Sequence, residues 1–481
     1  MLSVAALSLS SVSQAERISL PELGNSASNV ISKSDEKEYA QKLIRQMRAY
    51  HLLVEDPLIN DFFSDMGYKL AAHSDAPDTS FTFVVLDQKA INAFAAPGGV
   101  IALHSALILL ADNQDEVAGV LSHEIAHITQ MHLYRAFEKA KTMNVMAMLA
   151  MMGAILAGGG NGQVVTGAVM GAQAVAQQAQ INFTRQNEIE ADRVGIKTLS
   201  EAGYDPQGMA DFFVKMAHTT RANGEEAPEF LRTHPVSVNR IAEAEDRIQN
   251  LPPAKPEEES QFYIVQARLR ALLAQDPKKA ITYFRTELAK PASEARTMGN
   301  RYGLAIALQR DTQFGKAAAI LTELKNQDPN SLAFQLQIAD LDLDRNHREQ
   351  AIKSLAALYH VFPGNRAIAL EYSKALLTEN TVEAAQTASA VLKQQLVQTK
   401  NDPNLYALYA RAYSQAGDDV RATLAIAESY YQKGGIEEAI TQLEKLSKRS
   451  DLDYYERARV NARLTELRIE IGDLDQPSHE G

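Results

Sequence analysis

The chain has 481 residues, enough for two or three domains with substantial cores. Hydrophobic residues make up 46% and charged residues 22%, a globular balance, and the formal net charge of -12 argues against nucleic acid as the main partner. Cysteine is absent, which excludes thiol catalysis, disulfides and Cys-based metal sites, so any metal must be held by His, Asp and Glu.

The first residues, "MLSVAALSLSSVSQAER", read as the later part of a signal peptide. A small-residue apolar run leads to Ser13 and Ala15, which suit cleavage after Ala15, although the positively charged start of such a peptide is missing. Residues 1–15 are therefore expected to be a truncated signal, with export to a bacterial periplasm. A polar stretch to about residue 34 is followed by helical patterns in "EKEYAQKLIRQMRAY" and "PLINDFFSDMGYKLAAHS". Next, "SFTFVVLD" alternates and is rich in β-branched and aromatic residues, so it predicts a strand. Pro97-Gly98-Gly99 predicts a turn between short strands at Ala90–Ala95 and Val100–Leu103. An extended peptide could pair with the edge of an exposed strand there.

"NQDEVAGVL" has the marks of a helix start: Asn113 or Asp112 as cap, Asp115 and Glu116 in the first turn, then Val117, Val120 and Leu121 as an apolar stripe. It runs into "LSHEIAHITQMH". Positions four apart on a helix lie about 40° apart in projection, so His123 and His127 share a face and can share a metal ion. Glu124 flanks that face and is placed to reach a water rather than to be a ligand. This is H-E-x-x-H, the zinc-protease pattern, with the glutamate as general base. His132, nine steps after His123, falls on roughly the opposite side of a continuing helix, and Gln130 and Leu133 stand where the longer H-E-x-x-H-x-x-G-x-x-H pattern needs Gly and His. The third ligand must come from elsewhere.

Residues 143–181 carry no charge and are rich in Met, Ala and Gly. Their longest apolar run is about 15 residues, short of the roughly 20 that span a bilayer. They read either as a buried helical hairpin over the site or as an element facing substrate or a membrane surface, giving a peripheral membrane contact. "EIEADRVGIKTL" is helical and is stopped by Gly203 and Pro206. Glu188 and Asp192, four apart, share a face, while Glu190 points elsewhere. Glu188 is the natural third ligand, and Asp192 can accept a hydrogen bond from a ligand imidazole and fix its tautomer. The alternative is a merely acidic helix surface.

With these residues in place, the chain resembles metallopeptidase family 48. The matching pieces are "NAFAAPGGVIALHSALI", "DEVAGVLSHEIAHITQMH", "NEIEADRVGI" and "LRTHPVSVNRI", in the family's order across residues 92–241. The resemblance implies a zincin-type α+β domain with a small sheet, and one Zn²⁺ on His123, His127 and Glu188. It also implies Glu124 as base and Asp192 in support. It makes His234 a candidate too, either near the metal and restraining the enzyme or as a donor to the oxyanion; an ordinary helix-capping histidine is the other reading. The family's soluble periplasmic members imply outer-membrane β-barrel proteins and their assembly machinery as clients, and a chaperone role beside proteolysis.

Pro-rich, acidic "NLPPAKPEEES" marks a linker at 251–260. Beyond it the pattern over 261–474 is all helical, with turns at Asp276-Pro277, Asp328-Pro329, Phe362-Pro363 and Asp402-Pro403. Pro329 and Pro363 are one tetratricopeptide period of 34 residues apart. The expected architecture is mainly α: a metallopeptidase domain over 16–250, then an all-α tetratricopeptide solenoid over 261–474 that binds proteins. The expected function is a zinc metalloendopeptidase of periplasmic quality control. The competing class is a chaperone or adaptor whose metal site is latent.

Overall fold

A computed structural model of the chain describes residues 32–139, 185–222, 228–254 and 260–472. The signal-like stretch 1–15 and the uncharged segment 143–181 lie outside the described residues.

Helix α1 (Lys33–Ala49) is capped by Ser32 and α2 (Pro57–Ala72) by Asp56, each side chain accepting a hydrogen bond from a first-turn N–H. Strands β1 (Thr82–Leu86), β2 (Ala93–Ala96) and β3 (Val100–His104) form one sheet in the order β1-β3-β2. β1 runs parallel to β3, and β2 runs antiparallel to it with Ala96 opposite Val100. The turn joining β2 to β3 puts Gly98 and Gly99 at φ 74° and 76°, a conformation that a side chain would strain. Leu43 and Met47 of α1 cover one side of the sheet by packing on Leu86, Val100 and Ala102. The main apolar cluster joins α2, Phe83, Val85, Ile101 and Leu103 to the helices that carry the site.

Those helices are α3 (Ser105–Leu110), α4 (Gln114–Thr129), α5 (His132–Lys139), α6 (Arg185–Glu201), α7 (Gln207–Ala222), α8 (Glu229–Thr233) and α9 (Val238–Gln249). α4 is buried over most of its length and packs against α2, α6, α7 and β2.

The remaining helices pack each against the next. They are α10 (Ser260–Leu273), α11 (Pro277–Leu288), α12 (Glu294–Arg310), α13 (Phe314–Gln327), α14 (Leu332–Asp344) and α15 (Arg348–Val361). After these come α16 (Arg366–Leu376), α17 (Val382–Gln398), α18 (Pro403–Gln415), α19 (Asp419–Gln432), α20 (Ile436–Ser447) and α21 (Tyr454–Glu470). Leading helices of successive pairs start at 332, 366, 403 and 436, close to the tetratricopeptide period. The Asp-Pro turns act through capping: Asp276 and Asp402 cap α11 and α18, with Pro277 and Pro403 in the first turn. This half is a tetratricopeptide solenoid.

The apolar core does not stop at the Pro-rich stretch. Phe262, Tyr263, Val265 and Leu269 of α10 sit in the same cluster as α2, α4 and α7. Tyr263 Oη donates to Asp112 O, and Gln266 Nε2 donates to Ile108 O and Ala111 O at 2.8 Å. Farther along, Arg268 pairs with Asp56 at 2.7 Å and Arg366 with Asp61 at 3.6 Å. Arg45 of α1 reaches Glu470 of α21 at 2.6 Å, and Arg48 donates to Asn401 O and Gln432 O. The solenoid thus curves back to the first helix. A cleft of about 1360 Å³ lies between the two halves, and its lining includes Asp65, Tyr68, Arg366 and His127.

Candidate metal centre

The centre is built on α4. Asn113 accepts a hydrogen bond from the Glu116 N–H, which fixes the start of the helix, and Asp115 and Glu116 favour its positive end. His123 and His127, one turn apart, are both almost fully buried. α6 crosses close beside them. A Cβ at Gly195 would lie 3.2 Å from the His123 backbone nitrogen, so glycine permits this approach. The crossing brings Glu188 and Asp192, both buried, onto the histidine face.

Four donors converge. His127 Nε2 is 2.9 Å from His123 Nε2, and Glu188 places its carboxylate oxygens 3.5 Å from each of these nitrogens. His234 Nδ1 lies 3.3 Å from His123 Nε2 and 3.3 Å from both Glu188 oxygens. Donor atoms of His123, His127, Glu188 and His234 all fall within 4.8 Å of one another. Tetrahedral coordination with bonds of about 2.0–2.1 Å sets donors roughly 3.3 Å apart, which matches these spacings. The donor chemistry points the same way. His123 Nδ1 is 3.0 Å from Asp192 Oδ1, so its proton belongs there and the Nε2 lone pair faces the cluster. Nitrogen lone pairs and a carboxylate crowded together in a buried space repel unless a cation lies between them. The residues therefore fit a metal ion.

Buttressing is extensive. Arg240 of α9, 2% exposed, makes two parallel hydrogen bonds to Asp192 at 2.7 Å each. Its Nη1 also lies 2.9 Å from Glu188 Oε2 and donates to Pro235 O at 2.7 Å. Ser237 caps α9 and so sets where Arg240 leaves the helix. The motif pattern around "LRTHPVSVNRI" assigns Arg240 no role. The signal was a buried arginine six residues after His234, and its partners are visible only in three dimensions.

Burial pulls the His123 imidazole down, but with no cation in the cluster the Asp192 and Glu188 carboxylates outweigh it and raise the pKa to about 9, so a bound metal would take the place of the Nε2 proton. Burial also pulls His127 down, with the His123 charge adding to it, so His127 lies well below the usual histidine range. Burial pushes Glu188 up, yet hydrogen bonds from His123 and His234 overcome this and hold it far below the carboxylate range. Glu124 goes the other way: burial raises it, against the lowering influence of His234 and His123. Its Oε1 is buried without a hydrogen bond, and His234 Nε2 lies 3.4 Å from it. A hydrogen bond from the Ala95 backbone ties the carboxylate to β2, the sheet's edge on this side.

The expected residues thus sit together: His123, His127 and Glu188 at the cluster, Asp192 behind His123, Glu124 beside it. His234 is the fourth donor. It ends α8, its backbone N–H donates to Phe230 O at 2.7 Å, and its ring packs on Phe230. The helix-cap alternative does not hold, since Ser237 caps α9. One expectation is corrected. His132 is not on the far side of a continuing helix. α4 stops at Thr129, Met131 takes φ 54°, and the reversed chain restarts as α5 at His132, 2.7 Å from the His127 ring.

A buried His₃Glu cluster drawn from α4, α6 and the end of α8, beside a small sheet, is the donor set of a metal-dependent hydrolase. The Peptidase family M48 profile matches residues 60–248. The chain belongs to that family and is a metalloendopeptidase. It is 31% identical to the beta-barrel assembly-enhancing protease of Escherichia coli K12, over 93% of this chain and 91% of that one. It is 32% identical to the Yersinia pestis protein of the same name, over the same shares. It is 30% identical to the mitochondrial metalloendopeptidase OMA1 of Saccharomyces cerevisiae, over 31% of this chain and 41% of that one. No described helix is long and apolar enough to cross a membrane.

Proposed function

We propose that the chain is a zinc endopeptidase of the periplasm, acting in quality control and assembly of outer-membrane β-barrel proteins, with the solenoid binding clients or assembly partners. The observation that carries the catalytic half is the convergence of four buried donors within 4.8 Å beside an unsatisfied glutamate. The client class rests on the names of the bacterial relatives, which match nearly end to end.

His123, His127 and Glu188 would hold the metal, and Asp192 would fix the His123 ring. Bound there, Zn²⁺ supplies Lewis acidity toward a water and the scissile carbonyl. Glu124, with a raised pKa and a vacant acceptor oxygen, takes the proton of the attacking water and delivers it to the leaving amine. β2 holds Glu124 in place and offers an edge along which an extended peptide can lie. His234 fills the position that substrate needs, so the described state is a closed one, and the ring must leave for turnover. Zinc content together with casein cleavage, with and without chelator, tests this reading. Ala at His123, His127 or Glu188 should each remove stoichiometric zinc, and Glu124→Gln should keep zinc but lower cleavage by about 10²–10⁴.

The closed arrangement also favours a second reading, a chaperone with a latent metal site. Complementation of a deletion strain by Glu124→Gln separates the two: normal growth supports the chaperone, and failure supports the protease.

A further inference from the structure

The two ligand histidines on α4 are held in different ways. Behind His123 stands a carboxylate, Asp192, gripped by Arg240. Behind His127 stands a second imidazole. His132 Nδ1 lies 2.7 Å from His127 Nδ1, and His132 Nε2 lies 3.2 Å from Glu190 Oε2. Arg135 Nη2 donates to that same oxygen at 2.8 Å. His132 is fully buried, while the Glu190 side chain is 31% exposed.

We propose that His132 is a positioning residue for the metal centre, an imidazole relay that fixes the tautomer and orientation of His127 and is itself anchored by Glu190 and Arg135. This rests on the reading that His127 is a metal ligand through Nε2. Proton counting leaves one arrangement. The Glu190 carboxylate, paired with Arg135, can only accept, so His132 Nε2 carries a hydrogen. A neutral His132 then has a lone pair at Nδ1 and must accept from His127 Nδ1–H. That leaves the His127 Nε2 lone pair facing the cluster, as a ligand requires. Reversing both rings would keep the 2.7 Å contact but set the His132 Nε2 lone pair against the Glu190 carboxylate at 3.2 Å, and reversing one ring alone sets two hydrogens or two lone pairs against each other. The local fold serves this contact: Met131, a residue with a side chain, adopts φ 54° to turn the chain so that His132 returns to the His127 ring. Glu190, two residues from Glu188 on α6, is thereby tied to the same centre from the helix flank.

The test uses the full chain, His132→Ala, and Glu190→Ala as a partly exposed second variant that should fold if the first does not. Zinc affinity is measured by competition with a chromophoric chelator. The expected loss is 10- to 100-fold for His132→Ala, the range usual for residues behind a ligand histidine, with a smaller loss in the same direction for Glu190→Ala. The second readout is proton NMR of the cobalt-substituted chain, in which ligand imidazole N–H protons give shifted, solvent-exchangeable signals. The His127 signal should broaden by exchange in both variants while the His123 signal stays. Affinity within twofold of wild type in both variants overturns the proposal. So does a loss of affinity with the His127 signal intact, which would mean general loosening. A wild-type chain that binds no zinc overturns the metal reading and the relay together; zinc bound equally by wild type and His132→Ala overturns the relay alone.

Discussion

Arg240 is the most exacting point at which to test the centre. Its guanidinium is the counter-charge for two buried carboxylates, Asp192 and Glu188, and it also holds Pro235 O beside His234. Arg240→Met keeps most of the side-chain volume and removes the charge and four short contacts. Removing one partner from a buried ion pair costs about 3–5 kcal/mol, because the remaining charge stays buried without compensation. In the metal-free chain the loss should fall on the packing of α6 against α9. Amides there should then exchange with solvent roughly two to four orders of magnitude faster, measured by native-state hydrogen exchange in chelator. With zinc added, the cation supplies positive charge to Glu188, so the gap between variant and wild type should narrow. Arg240→Lys, which keeps the charge without the fork, should lie between. Exchange in α6 and α9 of the Met variant within threefold of wild type, in chelator, would refute the claim that Arg240 holds the centre together.

Three further outcomes are expected. His234→Ala should keep zinc content and raise basal casein cleavage, since it frees the fourth position; a fall in kcat of roughly 10²–10³ would instead assign the ring to the oxyanion. A fragment ending near residue 250 retains every proposed ligand but loses Phe262, Tyr263, Val265 and Leu269 from the core, a deficit on the order of 5–10 kcal/mol. It should show no cooperative unfolding transition and little bound zinc, and a sharp thermal transition in that fragment would show that the peptidase core closes without α10. Asp61 is pushed up to about 6 by burial, against the lowering pull of Arg366. Because its folded pKa exceeds the unfolded value near 3.9, its contribution favours folding below pH 4 and is lost as pH rises through about 6. Its side chain is 44% exposed, so screening limits the effect. Asp61→Asn should then stabilise the chain by at most about 1 kcal/mol at pH 8 and not at pH 4; urea titrations that find it destabilising at pH 8 would reverse the sign of this argument.

The parts of the site visible in the sequence are those governed by helical period. His123 with His127, and Glu188 with Asp192, are each spaced by four, and Asn113 announces the helix that carries the first pair. The strands flanking Pro97-Gly98-Gly99 and the Asp-Pro starts at Asp276 and Asp402 were readable because turn and cap chemistry is local. His132 was hidden for a definite reason. Continuing the helix puts it on the far side, and the break depends on Met131 at φ 54°, a conformation usually signalled by Gly or Asn. Glu190 was lost with it, since its partner was misplaced. Arg240 and α10 illustrate a different limit. Their partners are tens to more than a hundred residues away, and nothing in the local pattern of "SVNRI" or "SQFYIVQARL" says which buried group each will meet.

The contact between α1 and the far end of the solenoid sets an order of events during synthesis. Leu43 and Met47 find the sheet within about sixty residues of chain, so α1 can dock there early. Its other face must wait: Arg45 and Glu470 are 425 residues apart. At 5–20 residues per second, roughly 20–85 s separate the appearance of the two partners. Throughout that interval Arg45 lacks Glu470, and the cleft wall that carries Arg366, Asn401 and Gln432 is added only as the solenoid emerges. The cleft bounded by both halves of the molecule is therefore completed last, after α21 has emerged and docked, and a chain that lacks α21 carries the proposed metal ligands without the enclosure that would confine their use.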